Sequence, residues 1–138
     1  MKTLVIYYSY TGNTKKIAEQ TAKKENADIC EVVEKNRPGT VKAFTAGSFH
    51  AMRGMKSEVE PITADLSSYD RLIVMAPVWA GNPAPAMNNV FDALPSGKEV
   101  EVIMVSASGK SSCKDRLEQL IGSRGSRLSG FTDLSSKQ

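Results

Sequence analysis

An α/β fold built on a parallel sheet is predicted by three observations. Short apolar runs alternate along the chain with stripes of apolar residues at helical spacing. Three of those runs are continuously apolar, as strands covered on both faces are. Two others mix polar and apolar residues, as strands at a sheet edge do. The chain has 138 residues, which suits one domain over residues 1–138 with one hydrophobic core.

The elements follow in order. Residues 3–8 (TLVIYY) read as a buried strand. Ile17, Ala18, Thr21 and Ala22 then recur at helical spacing. Residues 28–34 (DICEVVE) read as an edge strand, and residues 71–76 (RLIVMA) as a second fully apolar one. Met87, Val90, Phe91 and Leu94 make the next helix stripe. Residues 101–106 (EVIMVS) are the third apolar strand, followed by a stripe of Cys113, Leu117, Leu120 and Ile121. Residues 127–134 (RLSGFTDL) alternate weakly and read as a last strand. The stretch 37–60 is a crossover with an irregular helix. Val41, Phe44, Met52 and Met55 give its period, while Gly39, Gly47 and Gly54 weaken it.

Burial then orders the strands. The first, third and fourth belong in the centre and the second and fifth at the edges, which is the order 2-1-3-4-5. That order puts a topological switch point between the first and third strands. Ligands in such sheets bind there, beyond the carboxyl ends of the strands. The loops after Tyr8, Ala76 and Ser106 are therefore the candidates.

Composition narrows the function classes. An apolar fraction of 41% with 24% charged residues is that of an ordinary globular chain. No apolar run approaches the ~20 residues that span a bilayer, so no membrane insertion is expected. The start, Met1-Lys2-Thr3, leads straight into the first strand without a signal-peptide pattern, so a cytoplasmic location is expected. Cys30 and Cys113 lie far apart and form no metal or dithiol spacing. His50 is the single histidine, which rules out a histidine-based metal cluster. A net charge of +3 without a basic-aromatic motif gives no nucleic-acid partner.

The first candidate loop is Ser9, Tyr10, Thr11, Gly12, Asn13 and Thr14. Three small hydroxyl side chains and a glycine sit where a strand meets a helix. A helix N-terminus offers free N–H groups and partial positive charge, and hydroxyls donate to phosphate oxygens. Gly12 permits close backbone approach. The plainer reading is that Ser9 or Thr11 caps the helix. In this context S-x-T-G-x-T resembles the phosphate loop of the flavodoxins, and residues 8–15 (YSYTGNTK) match that family almost throughout. The Rossmann G-x-G-x-x-G is absent. Ser108-Gly109-Lys110-Ser111 looks like the end of a Walker A motif, but Met104 stands where that motif needs glycine. The loop also lacks the G-S-x-R pattern expected of NAD(P)H-dependent FMN reductases.

The resemblance implies a flavodoxin-like three-layer sandwich with FMN as cofactor. It extends over most of the chain, about 2–134. The second loop carries Pro77, Val78, Trp79, Ala80, Gly81 and Asn82, similar to the family's P-x-W-x-G-x-x-x-P segment. There the resemblance implies contact with the isoalloxazine ring: Trp79 against the ring, Gly81 and Asn82 with backbone groups near its edge. In flavodoxins a flexible peptide here can bond the protonated flavin N5. Without a ligand, Trp79 is a surface or core aromatic. The third loop, Ser106, Ala107, Ser108 and Gly109, would wrap the pyrimidine side through backbone amides. Lys110 reads as a solvated lysine and Cys113 as core.

Three features depart from the family. Electron-carrying flavodoxins are acidic, whereas residues 35–56 hold five Lys or Arg, His50 and no acid. That segment reads as a solvated face or as a docking patch for an acidic partner. The usual helix after the last strand is missing, so a homodimer or partner contact would cover the sheet face. The aromatic that covers the outer flavin face in many flavodoxins is also absent. The leading expectation is an electron-transfer protein cycling FMN between oxidised, semiquinone and hydroquinone states, serving redox partner proteins and needing no catalytic acid or base. The alternatives are an FMN-dependent quinone or small-molecule reductase and a flavin-free interaction module.

Overall fold

The structure, a computed structural model, describes residues 2–35 and 56–136. β1 (Thr3–Tyr7) is followed by α1 (Asn13–Glu25) and β2 (Asp28–Glu31). A 3₁₀ turn, Leu66–Ser68, leads into β3 (Arg71–Trp79), which folds back through a two-residue β4 (Asn82–Pro83). α2 (Pro85–Asp92), β5 (Glu99–Ser106), α3 (Lys114–Ser123) and β6 (Arg127–Ser135) complete the order. The main sheet runs β2-β1-β3-β5-β6, with every neighbouring pair parallel. This is the order expected from the burial pattern, with β4 added as an antiparallel flap on β3.

The two faces of the sheet are covered differently. Thr14, Ala18 and Ala22 are the buried residues of α1. They recur every four positions, so they line one face. Their small size lets the helix lie close on Val5, Tyr7, Ile73 and Met75. The other face carries α2 and α3, whose Met87, Val90, Phe91, Leu117 and Ile121 pack on Leu4, Ile6, Leu72, Val74 and Val102. α1 ends at Asn26 in the left-handed region (φ 52°), where Ala27 N–H bonds Ala22 O at 2.8 Å. Lys23 and Lys24 lie in its last turn, where positive charge suits the helix dipole.

Several expected boundaries move. β3 runs three residues past Ala76, through Pro77, Val78 and Trp79. Pro77 is tolerated because β1 stops pairing at Tyr7, opposite Met75, so no β1 carbonyl needs an N–H at that height, while the Pro77 carbonyl still accepts from Ala84 N–H at 3.1 Å. β2 is shorter than 28–34, although Val32 N–H still bonds Tyr7 O and Glu34 forms an isolated bridge with Val59. Ile29 and Val33 are 44% and 47% exposed, as an edge position allows. β5 begins two residues early at Glu99, and β6 carries a register shift opposite Val100 and Glu101. Cys113 is the N-cap of α3 rather than part of it. The crossover helix expected over 37–60 falls mainly on residues outside the described ones.

Candidate functional site

Three loops meet at the carboxyl ends of β1, β3 and β5. The first closes on itself: Gly12 N–H donates to Ser9 Oγ at 3.0 Å. Gly12 is the N-cap of α1 with φ 100°, and its carbonyl accepts the first helical bond from Lys16 N–H at 3.1 Å. Neither Ser9 nor Thr11 caps the helix. The N-cap has no side chain, so no side-chain oxygen blocks the first-turn amides, and no acidic residue lies in that turn. A Cβ placed on Gly12 would meet nothing within 4 Å, so the space above the turn is open. Thr11, Gly12 and Asn13 are exposed on its rim, while Thr14 is 2% exposed beneath it.

Trp79 stands beside this turn. Its ring meets Tyr10 edge-on at 5.5 Å and 81°, and Tyr8 at 6.3 Å and 83°. Such T-shaped contacts fix ring orientation. Tyr8 is buried and its hydroxyl donates to the Glu34 carboxylate. Trp79 is thereby braced by Tyr8, just after β1, and by Tyr10 of the first loop.

The second loop is a tight hairpin. Trp79 pairs with Asn82 and Val78 with Pro83, leaving Ala80 and Gly81 as the two turn residues. Both have positive φ, 52° and 79°, which is the type I′ pattern. Gly81 O accepts from Ser112 N–H at 2.8 Å, and Ser112 Oγ lies 3.4 Å from the same oxygen. Arg116 donates to Asn82 Oδ1 from Nε at 3.2 Å and Nη2 at 3.1 Å. Asn82 Nδ2 in turn donates to Ala80 O at 3.1 Å.

The third loop is folded around Ser106. Its Oγ accepts from Gly109 N–H at 2.9 Å and Lys110 N–H at 3.2 Å. Ser135 Oγ donates to Ala107 O, and Ser136 N–H donates to Ser106 O. Ser111 Oγ donates to Asp133 Oδ1 at 2.6 Å. Of the amides expected to face a flavin, Gly109 is thus already engaged inside the loop. Cys113 is buried behind it, and burial pushes its thiol pKa up, as expected for a core residue.

The structure brings the three expected segments to one end of the sheet. Sequence reasoning placed Ser112 in the third loop without a role of its own and did not single out Tyr8 or Arg116. A tyrosine at a strand end in an aromatic-rich segment was a readable hint. A serine in a serine-rich loop and an arginine on a polar helix face gave none.

These residues fit an FMN-sized ligand at two places: the open turn suits a phosphate, and the braced tryptophan suits a planar ring. The fold itself is shared with solved flavoproteins. A Lactobacillus acidophilus flavoprotein solved in complex with FMN is 25% identical, with a TM-score of 0.77 over 94% of this chain and 91% of its own. A protein of known structure from Bacteroides eggerthii shares the fold at 19% identity with a TM-score of 0.80, over 99% and 91% of the two chains. Flavodoxin 2 from Bacillus cereus is 18% identical with a TM-score of 0.57, over 100% and 88%. The protein is therefore an α/β protein of the flavodoxin-like class. Residues 1–126 match the model of the NADPH-dependent FMN reductase family, and the chain belongs to that family. It does so although its first loop departs from the G-S-x-R pattern. A curated relative from Cupriavidus metallidurans, named NAD(P)H dehydrogenase (quinone), is 33% identical over 91 residues. That match takes in 66% of this chain, which spans 45% of the relative's length. FMN is the cofactor that family and fold assign to the chain.

Proposed function

We propose that this protein binds FMN noncovalently at the carboxyl end of its sheet and works as an FMN-dependent reductase. Its electron donor is a reduced nicotinamide and its acceptor a quinone or another small molecule. The observation that carries the enzyme reading is the third loop. Residues 106–112 are serines, an alanine, a glycine and a lysine, so this loop offers no aromatic to cover the ring face opposite Trp79. That opening suits a substrate stacking on the flavin. The family match and the name of the Cupriavidus relative support the same reading.

The chain's residues divide the work. Ser9, Thr11 and the first-turn amides of Asn13 and Thr14 hold the phosphate, with the α1 dipole adding attraction. Gly12 lets the phosphate approach the backbone. Trp79, braced by Tyr8 and Tyr10, flanks the ring, and the hairpin turn borders its edge. Ala107 and Ser108 close the pyrimidine side. Bound FMN supplies uptake and release of electrons with protons at the isoalloxazine ring. No side-chain acid or base is required.

A second reading, a one-electron carrier, is favoured by the compact three-layer fold shared with flavodoxins. The location belongs to the same proposal: a cytoplasmic protein, with both cysteines free and buried. Among the described residues no helix is long and apolar enough to cross a membrane.

Titration of the purified protein with FMN, followed by flavin fluorescence, should show saturable quenching. Trp79→Ala should weaken binding roughly tenfold, since aromatic stacking is worth ~0.5–1.5 kcal/mol beyond area burial. Steady-state oxidation of NADPH by a quinone, dependent on added FMN, supports the reductase. Tight FMN binding without that turnover supports the carrier. Absence of FMN binding at saturating concentration overturns both.

A further inference from the structure

Trp79, the single tryptophan of the chain, touches two tyrosines whose surroundings differ. The centroids lie 6.3 Å apart for Tyr8 and 5.5 Å apart for Tyr10. Rings with centroids about 4.5–7 Å apart are in contact, so an electron can pass between them directly. Tyr8 is buried, and its hydroxyl donates to the Glu34 carboxylate. Tyr10 is half-buried on the first loop. The chain's other tyrosines are out of reach. Tyr7 packs with Val5, Ala18 and Ile73 on the opposite face of the sheet. Tyr69 lies before the first residue of β3 and Trp79 is the last, about 30 Å along the strand.

Trp79 is partly exposed, so a one-electron oxidant can reach it, whereas Tyr8 is 3% exposed. An indole that loses an electron at neutral pH also loses its N–H proton and becomes a neutral indolyl radical. A phenol in contact can refill it, because the tyrosyl radical is the more stable of the two. The obstacle is the phenol's proton. An oxidised phenol is a strong acid, and a radical cation in a buried place is costly. The electron therefore leaves Tyr8 only if the proton leaves with it. Glu34 already shares that proton in a hydrogen bond and is itself partly exposed, so it can pass the proton on to water. The carboxylate loses its charge in the step, and no new charge appears in the core.

We propose that Trp79 and Tyr8 form a one-electron relay, with Glu34 as its proton acceptor, that moves an oxidising equivalent from the exposed indole to a buried phenol. One electron passes from Tyr8 to the Trp79 radical. The Tyr8 O–H bond breaks and its proton joins the Glu34 carboxylate. The indole nitrogen regains a proton from water, and Glu34 later returns one. Tyr8 is left as a neutral phenoxyl radical. The oxidant is a small one-electron radical of the kind that oxygen forms when it takes up single electrons. The relay draws oxidation away from the residue that borders the proposed ligand site. No bound flavin takes part, so the relay stands or falls independently of the FMN reading.

Pulse radiolysis of the 138-residue chain in azide solution tests this. The azide radical oxidises indoles in preference to phenols near neutral pH, and indolyl and tyrosyl radicals have distinct transient spectra. In wild type the indolyl band should decay as the tyrosyl band rises, at a rate independent of protein concentration. Tyr8→Phe keeps the buried ring, removes the hydroxyl and should abolish this phase. Glu34→Gln keeps an acceptor but a far weaker base. It should slow the phase about a hundredfold, the size of a positioned base's contribution, and it serves if Tyr8→Phe does not fold.

A wild-type indolyl radical that decays without a tyrosyl rise, or at a rate that scales with protein concentration, overturns the inference. A fast phase that survives in Tyr8→Phe, which would assign the radical to Tyr10, overturns it too. So does an unchanged rate in Glu34→Gln. None of these outcomes bears on FMN binding, which the fluorescence titration reads separately.

Discussion

Gly12 shows how one backbone angle shapes the site. Its φ of 100° lies where a side chain is strained, yet a Cβ there would meet nothing within 4 Å. Strain and collision are thus separable at this position. Gly12→Ala should lower stability by about 1–2 kcal/mol, the cost of a Cβ in left-handed backbone. Urea unfolding of the apo protein measures this directly. An unchanged midpoint would mean that the turn relaxes to another conformation. Ala80 accepts a similar penalty at φ 52° because the hairpin needs positive φ at both turn positions. The residue types at these turns were partly legible in advance. Gly12 and Gly81 stood out as glycines at a strand exit and in a tight loop, but nothing marked Ala80 as left-handed. Its angle follows from the pairing of Trp79 with Asn82, which is not a local property.

Among the elements, α1 is tied to the sheet at its far end by charge as well as packing. Arg71 at the start of β3 bonds Glu25 Oε1 at the end of α1 at 2.8 Å and also pairs with Glu101 on β5. The hydrogen bond from Arg71, then its charge, holds the Glu25 carboxyl below the usual glutamate range. A carboxyl depressed by folding contributes stability above its unfolded value, near pH ~4.3. That contribution is lost as pH falls through the lower folded value. Glu25→Gln should therefore be less stable than wild type at neutral pH, and the gap should close on acidification below about pH 4. Denaturant unfolding at several pH values checks this, and a pH-independent gap would refute the pair's role. The existence of each element was readable from period and burial. Their ends were not, and β3 is the clearest case. Its proline suggested a loop, but a strand whose neighbour has already ended loses little by lacking an N–H at that height.

At the scale of the molecule, the proposed ligand and the fold are linked. A ligand that binds only the native state stabilises it by RT ln(1 + [L]/Kd), about 2.7 kcal/mol at a hundredfold excess over Kd. For a domain of this size, saturating FMN should raise the melting temperature by roughly 5–10 °C. Calorimetry with and without FMN tests it, and riboflavin, which lacks the phosphate, should produce a smaller shift. Equal shifts from both would remove the phosphate role from the first loop.

The sequence by itself determined the strand order and the loop that opens α1. Continuous apolar runs separate central strands from edge strands, because a strand buried on both faces has no polar side to show. The strand-to-helix turn Ser9–Thr14 carries its own chemistry in adjacent residues. Only the tertiary structure decided that the second loop is a hairpin, that Tyr8 and Tyr10 brace Trp79, and that Ser112 and Arg116 hold the turn. Those contacts join residues far apart in the chain. Whether a donor reaches its acceptor depends on how the sheet register places one loop against another, and no local pattern encodes that distance.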